Sequence, residues 1–110
     1  MGKFVKGDVV IVLFPFSNLT NAKKRPALVI TQLNRDDAIV CQITKQNVPD
    51  GYSIELKAKD FSNGRLPIDP SYIRPNRLFT VDTNIIERKA GSLTKAKVDE
   101  VIEKIIAIIS

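Results

Sequence analysis

The sequence contains no histidine. Histidine is the commonest general acid–base and metal ligand because its ordinary pKa lies near neutrality. Ser–His–Asp triads, HExxH zinc sites and ribonuclease sites built on paired histidines are therefore excluded. Any catalysis has to come from Arg, Lys, Thr, Ser, Tyr or carboxylates. A single cysteine, Cys41, excludes an internal disulfide and leaves too few thiolates for a cysteine-rich zinc site. It reads as a small buried strand residue without a redox role. Long apolar runs are missing as well: the longest, Val9 to Phe16, is far below the roughly 20 residues of a bilayer crossing. The first residues show no basic stretch leading into an apolar segment and a small-residue cleavage site, and a reducing cytoplasm is the expected compartment. Glycine and proline are sparse, five and six in 110 residues, which fits a folded domain rather than a disordered or collagenous chain. A single domain over 1–110 is expected, able to bury about 65% of the surface its unfolded chain exposes.

Charge is present and unevenly placed. Residues 1–35 carry six cations (Lys3, Lys6, Lys23, Lys24, Arg25, Arg35) against one acid, Asp8, while residues 36–110 hold 11 basic and 11 acidic side chains. The whole net charge of +5 thus sits in the first third. A focused basic excess draws in a polyanion such as nucleic acid, or an acidic protein tail; a plain solubility role is the alternative.

Asp8-Val-Val-Ile-Val-Leu-Phe is β-branched and apolar between Gly7 and Pro15, and predicts a strand. Phe16 to Arg25 predicts a polar loop, Ala27 to Thr31 a second strand with Pro26 at its first residue, and Ala38 to Thr44 a third after an Arg35-Asp-Asp turn. These strands are apolar on both faces, as in a small closed or strongly curled sheet. Val48-Pro-Asp-Gly-Tyr predicts a turn, Ser53 to Lys57 a half-exposed strand, Lys59 to Gly64 a turn or short helix, and Leu66 to Pro70 an edge or irregular stretch. Tyr72-Ile and Leu78 to Asp82 are expected strand pieces around a loop at Arg74-Pro75-Asn76, followed by another strand at Ile85 to Ala90. Thr94 is a candidate N-cap for a terminal helix with Val98, Val101, Ile102, Ile105 and Ile109 at helical spacing; Ile106 and Ile108 widen its apolar surface. The expected class is α+β, β-dominated: a compact β-barrel with a C-terminal helix.

The stretch GDVVIVLFPFSNLTNAKKRPALVI, Gly7 to Ile30, resembles the signature of the MazF/PemK toxin family: a Gly-Asp-Val strand, a polar loop, then Arg-Pro-Ala/Val-Leu-Val. CQITKQ, Cys41 to Gln46, is similar to the family's hydrophobic–Thr–x–Gln segment, and LFTVD, Leu78 to Asp82, with the terminal helix follows in the family's order. The resemblance implies a small SH3-like/CcdB-type β-barrel that dimerises and cuts single-stranded RNA without the ribosome or a metal. It also implies a cognate antitoxin whose acidic, disordered tail occupies the RNA cleft. It places the family's catalytic Arg and Thr at Arg25 and Thr44, and implies no cofactor.

Cleavage without metal proceeds by attack of the 2′-OH on the neighbouring phosphorus. It leaves a 2′,3′-cyclic phosphate and a 5′-OH and loads negative charge onto the phosphorane. A planar, permanently charged arginine fork suits that charge. A threonine hydroxyl can hydrogen-bond a phosphate oxygen or help pass a proton, and is a poor base unaided. Phe16 can stack a base, and Ser17, Asn18, Lys23 and Lys24 can hold phosphates or base edges. Gln42, Lys45 and Gln46 beside Thr44 are further candidate RNA contacts, and Arg74, Asn76 and Arg77 form a possible second phosphate-contacting patch. Asp69 and Asp82 are candidate cleft carboxylates, neither singled out as base. Two other readings keep the fold: a CcdB-like poison that binds DNA gyrase, and an SH3-like module that binds RNA or an acidic partner without cutting.

Overall fold

The structure is a computed structural model and describes residues 4–14 and 23–110. Strands β1 (Asp8–Phe14), β2 (Lys23–Gln32) and β3 (Asp37–Thr44) form an antiparallel meander. β4 (Ile54–Leu56), β5 (Phe61–Gly64), β6 (Ser71–Asp82) and β7 (Ile86–Leu93) complete one seven-stranded sheet in the order β4-β6-β3-β2-β1-β7-β5. The sheet curls into a half-barrel with β4 and β5 at its two edges, and helix α1 (Lys95–Ile109) closes the chain. No helix among the described residues is long and apolar enough to cross a membrane.

The two-sided greasiness of the first three strands is explained by two separate cores. Val9, Ile11, Leu28, Cys41, Ile43 and Ile73 pack on one face with Val98, Val101 and Ile105 of α1. Val10, Val12, Ala27, Val29, Val40 and Val81 pack on the other beneath Phe4, Phe14, Phe79 and Ile85. Alternate residues of a strand point to opposite faces, so a strand buried on both sides loses its polar alternation. Burying each such aliphatic side chain stabilises the fold by about 1.5–3 kcal/mol.

The helix starts where expected. Thr94 Oγ1 accepts the Lys97 N–H at 3.3 Å, satisfying one of the orphan donors of the first turn. Its buried stripe is narrower than the sequence pattern: Val98, Val101 and Ile105 are buried, whereas Ile106 and Ile109 are exposed. Lys97 Nζ donates to the Glu55 carbonyl at 3.1 Å and pairs with Glu100 at 2.9 Å, pinning the helix to the β4 edge.

Three expectations are corrected. β2 begins at Lys23 instead of Ala27, with Pro26 inside it opposite Ile11. β3 joins β2 only from Ala27 onward, so at Pro26 the strand has one paired neighbour and the missing N–H is tolerated. The expected loop at Arg74-Pro75-Asn76-Arg77 is part of the continuous strand β6. Gln42 pairs with Arg74 and Cys41 with Leu78, so residues 75–77 bulge from the ladder, where a proline is accommodated. The short helix expected over Lys59 to Gly64 is confined to its first two residues, the end of a 3-10 helix at Ala58–Asp60, and Phe61–Gly64 is strand β5 instead.

Candidate functional site

β2 and β3 bring the two residues of the Arg-Pro and Gln-Ile-Thr segments together. The ladder runs Leu28↔Cys41 and ends at Ala27↔Gln42, so Arg25 and Thr44 each lie two residues beyond its last pair. Both line one groove of about 440 Å3, together with Lys23, Lys24, Lys45, Ser71 and Arg88. Ile11, Pro26, Ile43 and the Leu66–Pro67–Ile68 segment supply its apolar surface.

Thr44 ends β3 and is half-buried. Its Oγ1 accepts the Gln46 backbone N–H at 3.3 Å, which orients the hydroxyl and leaves its own proton to be donated. Arg25 is half-buried beside Pro26. Lys24 Nζ pairs with Glu87 Oε2 at 2.8 Å across the β2–β1–β7 surface. Arg88 reaches the groove from β7, where it pairs with Ile11, which in turn pairs with Pro26. Two strand spacings, roughly 10 Å, therefore separate the Arg88 and Pro26 backbones.

A second cavity of about 620 Å3 continues from the first, sharing Leu66, Pro67, Ile68, Ser71 and Arg88 and adding Lys57, Arg65 and Asp69. The two lobes together are lined by seven cations (Lys23, Lys24, Arg25, Lys45, Lys57, Arg65 and Arg88) and one carboxylate, Asp69. Asp69 Oδ2 accepts the Ala58 N–H at 3.2 Å. The other carboxylate considered from the sequence, Asp82, lies elsewhere and caps a turn by accepting the Asn84 N–H at 2.8 Å.

The structure thus gathers Arg25, Thr44, Lys23, Lys24 and Lys45 into one groove, with Gln46 exposed beside it. Phe16, Ser17 and Asn18 lie outside the described residues. Gln42, Arg74, Asn76 and Arg77 line neither lobe. Arg74 Nη2 and Asn76 Nδ2 both donate to Asp50 Oδ2, at 3.1 and 3.4 Å. Arg77 lies over the Phe79 ring at 5.9 Å. Gln42 is half-buried opposite Arg74, its Oε1 without a hydrogen-bond partner among the described residues. Asp50 is held below the usual carboxylate range, first by the Tyr52 backbone N–H and then by the Arg74 guanidinium and the Ser53 N–H. Sequence reasoning missed Arg65, Arg88, Lys57 and Ser71. Their charge is invisible in a linear count because equal numbers of acids accompany them in the chain, while in space only Asp69 among those acids lines the two lobes.

A curled β half-barrel with a continuous cation-lined groove beside β1, β2, β3 and β7 is therefore the class that fold and site define. Within that class, the sequence matches the profile of the PemK-like, MazF-like toxins of type II toxin-antitoxin systems over residues 5–109, and the chain belongs to that family. A comparison with curated proteins finds no match. Among solved structures, the chain is similar to a MazF (Form-III, with MazE) from Deinococcus radiodurans at TM-score 0.75 and 15% identity, covering 96% of this chain and 94% of that one. It is similar to an endoribonuclease from a Mycobacterial species, solved with its cognate antitoxin, at TM-score 0.73 and 12% identity, covering 94% and 91%. The Mycobacterium tuberculosis toxin MazF-mt6 superposes at TM-score 0.68 and 19% identity, covering 89% and 91%.

Proposed function

We propose that this toxin is a metal-independent, ribosome-independent endoribonuclease that cuts single-stranded RNA to 2′,3′-cyclic phosphate and 5′-OH ends at specific sequences. The observation that carries the reading is the convergence of Arg25 and Thr44 on one cation-lined groove. Family membership and the endoribonuclease among the similar structures support it. In the reaction the 2′-oxygen–phosphorus bond forms as the phosphorus–5′-oxygen bond breaks; the 2′-OH gives up one proton and the 5′-oxygen takes one, so the protons balance. Arg25 binds two non-bridging oxygens and stabilises the charge that grows on the phosphorane. Thr44, its Oγ1 already accepting from the Gln46 N–H, donates to a phosphate oxygen. The other groove cations hold the flanking phosphates. The active form is a homodimer, and a cognate antitoxin silences it by laying an acidic, disordered tail in the same groove. The complexes with MazE or a cognate antitoxin among the similar structures support a partner of that kind.

The test incubates pure protein with mixed-sequence single-stranded RNA in EDTA. Cleavage that survives the chelator and leaves 5′-OH ends is expected, slower by about 10²–10³ in Arg25→Ala and Thr44→Ala. Intact RNA, with or without inhibition of DNA gyrase, would overturn the nuclease reading.

A further inference from the structure

Arg65 and Arg88 sit on neighbouring pieces of chain for a structural reason. β5 pairs with β7 up to Gly64↔Gly91, and the Arg65 N–H then donates to the Ala90 carbonyl at 3.3 Å. Arg65 thus leaves the ladder one residue past Gly64, close to the strand that carries Arg88. Arg88 belongs to both lobes of the groove, and Arg65 and Lys57 only to the second. Neither arginine has a carboxylate partner among the described residues, whereas Lys57 pairs at 3.6 Å with Glu55. The one acid of the second lobe, Asp69, is engaged by the Ala58 N–H. The wall between the lobes includes Ile68, an aliphatic side chain that is 47% exposed.

From this juxtaposition we propose that the second lobe is a substrate subsite: the RNA strand leaves the Arg25–Thr44 position, crosses Arg88, and lays its next phosphates on Arg65 and Lys57 with a base against Ile68. The inference rests on the nuclease reading for the position of the reacting phosphate, and it adds the direction in which the strand continues. A cavity of about 620 Å3 falls within the roughly 300–1,000 Å3 of ordinary ligand sites, enough for a nucleotide or two beyond the scissile bond. Permanently charged guanidinium forks are suited to phosphate, and an apolar neighbour suits the face of a base.

The experiment measures binding of uncleavable, fully 2′-O-methylated RNA pools four and ten nucleotides long, by fluorescence anisotropy. The protein is the wild type or the variants Arg65→Ala, Lys57→Ala with Arg65→Ala, or Lys95→Ala as a control on the exposed helix surface. Arg65, Lys57 and Lys95 are all exposed, and thermal melts check that each variant is folded. The wild type should bind the ten-mer at least tenfold more tightly than the four-mer. The double variant should lose most of that gain while keeping the four-mer affinity. Its salt dependence for the ten-mer should be shallower by about 0.7 in log–log slope for each phosphate contact removed. Lys95→Ala should change nothing. An unchanged length gain in the double variant would overturn the proposal, as would an equal loss in Lys95→Ala. So would loss of affinity for a poly-glutamate peptide alone, which would assign the lobe to a polypeptide. The length gain without any cleavage of natural RNA would sink the nuclease reading and leave the subsite standing; no binding of RNA at either length would sink both.

Discussion

The Thr44 hydroxyl accepts the backbone N–H of Gln46 at 3.3 Å, so the residue that ends β3 also closes the turn after it. One lone pair is occupied, and the hydroxyl keeps its own proton to donate. This arrangement makes Thr44 a donor and argues against it as the group that deprotonates the 2′-OH.

Thr44→Ser keeps both the acceptor and the donor and should retain cleavage within about tenfold. Thr44→Val keeps the shape and removes both, and should fall by about 10²–10³, the usual loss for one preorganised donor at a developing charge. Single-turnover cleavage rates measure this. A Thr44→Val enzyme as fast as Thr44→Ser would show that the hydroxyl takes no part.

Arg25→Lys should behave more like Arg25→Ala than like the wild type, because an ammonium keeps the charge and loses the planar fork that grips two oxygens. If Lys restores most of the rate, Arg25 contributes only as a point charge, and the bidentate role is wrong.

How far the sequence revealed this molecule differs between its parts. β1, β3 and α1 were legible because each carries a dense local signal: a β-branched run between Gly7 and Pro15, a second apolar run closing on Thr44, and a capped helical stripe from Thr94. The single strand through Arg74-Pro75-Asn76-Arg77 was not, since a proline among polar residues reads as a break, and only the bulge against Cys41 and Gln42 makes it continuous. The choice of Arg25 and Thr44 rests on the family's motifs and their spacing. Arg65 and Arg88 carry no such mark: one follows a glycine at a strand end, the other sits mid-strand in Glu-Arg-Lys, and what brings them together is the long-range β5–β7 pairing.

The Asp50–Arg74 contact gives a pH signature. The Asp50 carboxyl is held below its usual range, first by the Tyr52 N–H and then by Arg74, so its folded-state pKa lies under the unfolded value of about 3.9. A depressed carboxylate stabilises the fold above the unfolded pKa, and that contribution disappears as pH falls through the folded one. Asp50→Asn should therefore lower the melting temperature at pH 7, with the gap to wild type closing as pH drops below about 4. A gap that stays constant from pH 7 to 3 would mean that the charge of Asp50 contributes nothing.

Cys41 is fully buried on β3, and burial pushes its thiol up to about 12. The thiolate is the reactive form. At pH 8 a disulfide reagent such as Ellman's should leave the native protein untouched over hours and react at once in denaturant. Fast labelling of the folded protein would mean that β3 opens readily and that its pairing with β2, which ends two residues short of Arg25 and Thr44, is not rigid.

Gly64 tests the join that positions Arg65. Its φ is +70°, in the left-handed region, and a Cβ there would land on the Ala90 carbonyl oxygen and crowd the Gly91 backbone. Gly64→Ala therefore combines backbone strain with a clash against atoms that cannot swing aside, and should destabilise the protein by about 1–3 kcal/mol, measured by urea unfolding. The displaced β5–β7 join also moves Arg65 away from Arg88. The surviving folded protein should accordingly lose part of the gain in affinity from the four-mer to the ten-mer RNA, although every groove side chain is intact. A variant with wild-type stability and wild-type RNA binding would mean that the close approach of these two strands does not fix where Arg65 lies.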